Sequence, residues 1–421
     1  MSTIGYSAAV GAICPTLPKS WFKSMRVLVA YDRAFNRGFG ESGVVALADS
    51  LASAGHEVDI FSTTADAAQP PSNDERLPRP LPREHSLPLL RAHVKAARPA
   101  VIHLLHWQAD LSPSVYRVAR EFKLPLVQNA LDFQLHCLQG GLFRNGRHCE
   151  DCLGHSRLKG VARACDGGSV RSSAMLAARL GYHKLIGDFS RTATLYLAPT
   201  YYARGKLIEG GLPRDRVIVR APYADIPLPR DGDRANGLYV GPLNDESGFL
   251  TLMQAALDLA DMKIDVVGEG DDLTLAEQIP AFHVVTPMAD APLAERMARS
   301  RFLVYPAPSY TGFADTIINA FGARLPVVAS ATSGIDELVE DGQTGLLFEP
   351  GNAVDLARKI RWANAHPENM LEMGRNARNV YQERFSSIRG ARQMIDAYEL
   401  ACQLVHGPLL GTARAATATF K

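Results

Sequence analysis

Short apolar runs alternate along the chain with longer stretches whose apolar positions recur every three to four residues. Residues 26–31 (RVLVAY) read as a buried strand, 44–55 (VVALADSLASAG) as a helix and 56–63 (HEVDIFST) as a second strand. Strand, helix, strand in this order predicts a parallel sheet with crossover helices. VIHLLHW (101–107), LPLVQNA (124–130), LYLAPT (195–200) and RVIVRAP (216–222) continue the series. A proline-rich stretch at 66–88 interrupts it as a loop rather than a domain break. A second series starts at GLYVGPL (237–243) and runs through MKIDVVGEG (262–270), HVVTP (283–287), RFLVYPAP (301–308) and LPVVAS (325–330). The proline, glycine and charge of 227–237 (PLPRDGDRANG) mark a linker between the two series, near 226–237. The expected architecture is α/β with two doubly wound domains, 25–228 and 229–387, and a helix over 388–403 returning to the first.

With 421 residues and 47% hydrophobic composition, the chain can bury two cores. Lys and Arg total 45 against 44 Asp and Glu, so no polyanion such as nucleic acid is expected as a partner. The sequence contains no uninterrupted apolar run long enough to span a bilayer. Its first residues place Lys19 and Lys23 after the apolar stretch, the reverse of a signal peptide. A cytoplasmic protein is expected, with residues 1–24 and the tail after about 406 loosely held.

Candidate chemistry gathers where strands end in glycine. Gly241, and Gly268 with Glu269 and Gly270, follow strands of the second series; Gly38 and Gly40 lie in the loop after the first strand. Such positions let backbone approach a phosphate or sugar, and each is equally a tight turn. The loop Tyr310, Thr311, Gly312, Phe313 runs into a helix near Ala314 and Asp315. Unpaired N–H groups and the positive helix end meet there, which makes an anion site able to cradle a diphosphate without metal.

Residues 304–360 contain, in order, Pro308-Ser309, Thr311-Gly312-Phe313-Ala314, Pro326-Val-Val-Ala-Ser330 and Glu337-x-x-x-Asp341-Gly342-x-x-Gly345-Leu-Leu. This order resembles the donor half of family-4 (group 1) retaining glycosyltransferases. Residues 131–154 (LDFQLHCLQGGLFRNGRHCEDCLG) with CDGGS at 165 resemble the first half of one branch of the same family. The resemblance covers about residues 25–400. It implies the GT-B fold, two Rossmann-like domains facing across a cleft, with a nucleotide sugar as donor and a glycan or lipid-linked acceptor. No obligatory cofactor is implied. A peripheral contact with the inner membrane face is implied by the acceptor class alone.

Three departures fall on residues that do chemistry in the family. Its phosphate-binding Arg and Lys align with Pro242 and Ser247; its paired glutamates align with Thr311 and Asn319; its histidine aligns with Leu131, ahead of Asp132 and Phe133. Two explanations stand: a divergent enzyme that draws cations from elsewhere, such as Arg33 or Arg37, or a catalytically degenerate subunit that binds a sugar or a partner. Asp132 is the candidate acceptor contact or weak base, and equally a helix cap. His103 and His106 lie near a strand end, where one of them can face the cleft; core or supporting roles are the default. Four of six cysteines fall in the Cys-rich segment 131–168: Cys137, Cys149, Cys152 and Cys165. The C-x2-C pair suits a structural zinc completed by the other two; free buried thiols are the other reading.

Overall fold

The computed structural model describes residues 24–32, 41–64, 81–82, 86–107, 111–228, 234–259, 261–285, 290–308 and 315–407. The expected arm, the tail, the proline-rich loop and most of the linker core lie outside these.

The first series forms β1 (Arg26–Asp32), β2 (Glu57–Thr64), β3 (Leu81–Pro82), β4 (Val101–Leu104) and β5 (Leu126–Asn129). After a small hairpin, β6 (Phe143–Arg144) with β7 (Arg147–His148), come β8 (Leu195–Ala198) and β9 (Val217–Val219). Its seven-stranded sheet has the order β3-β2-β1-β4-β5-β8-β9, every pair parallel. Strands buried on both faces need no alternation, and all but the first residue of β1 are buried. The helices are α1 (Glu41–Ser53), α2 (Ser86–Ala97), α3 (Ser112–Phe122), α4 (Leu158–Ala162), α5 (Val170–Leu185) and α6 (Tyr201–Glu209). Ser169 and Thr200 cap α5 and α6 by accepting from the N–H groups of Ser172 and Ala203.

The second series forms β10 (Ala235–Val240), β11 (Ile264–Val267), β12 (Phe282–Val285), β13 (Ser300–Tyr305), β14 (Val327–Ser330) and β15 (Gly345–Phe348). They make a parallel sheet in the order β12-β11-β10-β13-β14-β15. Around it lie α7 (Phe249–Ala256), α8 (Leu273–Ala276), α9 (Asp290–Arg299), α10 (Asp315–Gly322), α11 (Ala353–Ala365) and α12 (Pro367–Val380). In each sheet the order reverses beside the first strand, β1 next to β4 and β10 next to β13. Crevices at the carboxyl ends of such strands are where doubly wound folds bind ligands.

Helix α13 (Ser387–His406) leaves the second sheet and joins the first core: Met394, Ala397, Tyr398 and Ala401 pack with Val27, Val29, Leu47 and Leu197. A buried hydrogen-bonded chain fixes it, Tyr398 Oη to His103 Nδ1 at 2.8 Å and His103 Nε2 to Asn129 Oδ1 at 2.9 Å. The strap between the sheets is held by Ile226 N donating to Tyr381 Oη at 2.8 Å and Arg378 donating to the Ile226 carbonyl at 3.0 Å.

Candidate functional site

The loops after β10 and β11 lie against each other at the carboxyl edge of the second sheet. Gly241 N donates to the Val267 carbonyl at 3.1 Å, Leu243 N to Glu269 O at 2.8 Å and Asp272 N to Leu243 O at 3.1 Å. A Cβ on Gly268 would overlap the Gly241 carbonyl oxygen, and one on Gly270 would overlap that of Leu243. Gly248, at φ +78°, has the same relation to the Pro306 carbonyl. Close backbone packing between loops therefore accounts for these glycines without a ligand.

The β10 loop is closed on itself. Ser247 Oγ donates to the Pro242 carbonyl at 2.6 Å and lies 3.0 Å from Tyr239 Oη, while Asn244 Oδ1 accepts from Ser247 N at 3.0 Å. Neither 241–248 nor 268–272 contains a Lys or Arg. The two stretches carry Asp245, Glu246, Glu269 and Asp271, all exposed, and half-buried Asp272. A phosphate placed there meets carboxylates rather than cations.

Across the crevice, α10 presents Asp315, Thr316 and Asn319 on its half-buried side, with Ile317, Ile318, Ala320 and Phe321 in the core. The i, i+4 spacing sets Asp315 and Asn319 side by side. Burial pushes the Asp315 carboxyl well above the usual carboxylate range, so that it can be held neutral and donate a hydrogen bond. Tyr305 beneath it is pushed up to about 12 by burial and then by the charge of Asp315. Thr311, Gly312, Phe313 and Ala314, like Gly38, Gly40, Arg33 and Arg37, lie outside the described residues.

On the facing domain, Asp132 Oδ1 accepts from Gln134 N at 3.0 Å, a turn-capping bond. Leu131 is buried and packs into the core of the second domain, among Leu238, Val267 and Leu303. Two further polar contacts cross between the domains. Gln139 reaches Glu246 at 3.4 Å, and the Glu337 carboxylate accepts from Tyr201 N at 2.8 Å and Tyr202 N at 2.7 Å. The start of α6 is thus capped by an acid of the other domain. Sequence reasoning quoted Glu337 only as part of a motif and missed this role; an acid outside any helix of its own is the signal it left.

An acid missed from the sequence sits at the carboxyl edge of the first sheet. Asp32, at the end of β1, is buried and accepts from Thr63 Oγ1 at 2.8 Å. His106, also buried, is lowered to about 4 chiefly by burial, against the charge of Asp32. His103 belongs to the core chain described above and is likewise lowered to about 4 by burial.

The four cysteines of the 131–168 segment are free. They lie near enough for the other three to act on the Cys152 thiol, which burial raises first. Cys149 Sγ instead faces Asp151 at 3.9 Å and Arg163 at 3.8 Å, and Asp151 is itself paired with Lys159 and Arg163. Among the described residues, no three of His, Cys, Asp or Glu are placed to hold a metal ion. Burial raises the Cys152 and Cys165 thiols, and Asp151, the carboxylate beside Cys149, is engaged by two cations.

Comparison with known proteins covers both halves. The family described as Glycosyl transferases group 1 matches residues 234–365, and the Glycosyl transferase 4-like domain matches 40–223. A D-inositol 3-phosphate glycosyltransferase of Arthrobacter sp. is 26% identical over 405 residues, 86% of this chain and 91% of that protein. An uncharacterised glycosyltransferase of Methanocaldococcus jannaschii is 28% identical over 207 residues, and the match spans 46% of this chain and 57% of that protein. Among solved structures, Anabaena HepE in complex with UDP superposes with TM-score 0.61 at 16% identity, over 89% of this chain and all of that one (100%). Sucrose-phosphate synthase from Thermosynechococcus elongatus gives 0.63 at 18% identity, over 89% and 98%. These likenesses show the GT-B fold.

Proposed function

Since the chain belongs to the group 1, 4-like glycosyltransferases, we propose that it moves a sugar from a nucleotide-sugar donor to a glycan or lipid-linked acceptor with retention. The observation that carries this reading is the match of the family to both halves of a chain with two parallel sheets. Residues 25–228 would form the acceptor domain and 229–387 the nucleotide-sugar domain, with 388–403 returning. In the donor crevice, Gly241, Gly268, Glu269 and Gly270 shape one wall; Asp315 and Asn319 form the other. Asp132 belongs to the facing wall. The protein's work in such a transfer is to position the acceptor hydroxyl and to stabilise the departing diphosphate. Asn319 can bond a donor hydroxyl, and neutral Asp315 can donate to an oxygen where a carboxylate would repel it.

A second reading, a degenerate subunit that binds sugar or a partner without turnover, is favoured by one observation: the β10 and β11 loops carry only acidic charge. Release of nucleoside diphosphate from a panel of nucleotide sugars separates the two. Turnover with at least one donor, reduced at least tenfold in Asn319→Ala, supports the enzyme; donor binding without release in native protein supports the subunit.

A further inference from the structure

Helix α5 is apolar on both of its sides. Its inner side buries Ser173, Leu176, Leu180 and His183. The 3.6-residue period turns Val170, Ala174, Met175, Ala178, Tyr182 and Leu185 to the opposite side. These six are exposed, Leu185 to 81%, and exposed Leu158 of the adjoining α4 stands at 74%. Arg171 lies on this outer side at the first turn, while Arg179 and Lys184 border it, one along each flank; all three are exposed. The sequence of α5, VRSSAMLAARLGYHKL, has no acidic residue. Among the described residues neither Arg171 nor Lys184 forms an ion pair. The carboxylate of the preceding turn, Asp166, is half-buried and accepts from Ser172 Oγ; before α4, Asp151 pairs with Lys159 and Arg163, and Glu150 with Lys206.

An apolar strip on a helix whose own charged residues are all basic is complementary to one kind of surface, apolar beneath and anionic at its face. We infer that the outer side of α5, with Leu158, docks on an anionic lipid bilayer, the apolar side chains entering the acyl boundary and Arg171 and Lys184 meeting headgroup phosphates. A second copy fits the surface poorly, because pairing it with itself would bring arginines and lysines together. A polyanion such as nucleic acid would leave the apolar strip uncovered. The inference does not rest on the donor site, since none of these residues belongs to it.

Flotation of the full chain with vesicles tests it. Binding is expected to vesicles of phosphatidylcholine with phosphatidylglycerol and not to phosphatidylcholine alone. Arg171→Glu with Lys184→Glu should lower the partition coefficient at least about tenfold. Tyr182→Ser with Leu185→Ser should lower it too, although its charge is unchanged. All four sites are exposed, so circular dichroism and melting should match the native chain, and nucleotide binding should not change. Absence of phosphatidylglycerol-dependent binding, or binding indifferent to both pairs of substitutions, would overturn the assignment. So would light scattering that shows self-association lost in Leu185→Ser without vesicle binding, which would give the surface to a second copy.

Discussion

Asp315 is the residue on which the donor wall turns. Its carboxyl is raised by burial, so the folded state holds the proton to a higher pH than the unfolded chain, where an aspartate titrates near ~3.9. Stability that is full below that value is lost as pH rises toward the folded-state pKa. Asp315→Asn should therefore melt higher than native protein at neutral pH, with a gap that shrinks toward pH ~4. Equal melting temperatures across that range would show that the carboxyl is solvated. Thr316 and Asn319 share its side of α10, which sequence periodicity made legible; its burial was not, because it depends on Tyr305 and the sheet beneath.

At the scale of elements, the strand and helix series could be read almost directly from apolar runs, because parallel strands covered on both faces need continuous Val, Ile and Leu. The glycines after β10 and β11 were legible as positions and not as causes. Sequence suggests room for a ligand, whereas Gly268 and Gly270 are required by carbonyls of the neighbouring loop. Gly268→Ala should cost about 1 to 3 kcal/mol, as overpacking does, in a thermal or denaturant melt without any nucleotide present. A neutral effect on the free protein, with loss confined to nucleotide binding, would restore the ligand explanation. The cysteine segment was legible in the same partial way: spacing along the chain reports which thiols are near in sequence, while Asp151 and Arg163 decide how Cys149 faces.

For the whole molecule, two sheets are coupled by α13, by the Glu337 cap on α6 and by Leu131 crossing into the second core. Long-range contacts of this kind leave no local pattern, and only the returning helix was anticipated. The α13 link runs through a buried neutral histidine, His103, lowered to about 4, and His136, buried within the first domain, is lowered to about 3, both mainly by burial. Groups depressed in the folded state give stability that is full above the unfolded value of ~6.5 and is lost as pH falls toward 4. Melting temperature should fall over that interval, against the opposite drift contributed by Asp315; a flat profile in Asp315→Asn would contradict neutral buried histidines. No helix among the described residues is long and apolar enough to cross a membrane.

Calorimetric titration of nucleoside diphosphates and their sugars into native protein and into Pro242→Arg/Ser247→Lys tests the central claim most directly. The two sites stand where the family carries its phosphate-binding cations, and a regained charge-assisted bond contributes about 1.5 to 3 kcal/mol. The predicted result is weak binding of common uridine or guanosine donors to native protein, tightened by at least about a hundredfold in the double variant. Tight binding to native protein, unchanged by the substitutions, would show that other residues hold the phosphates; no binding by either chain would contradict a donor crevice at the end of β10.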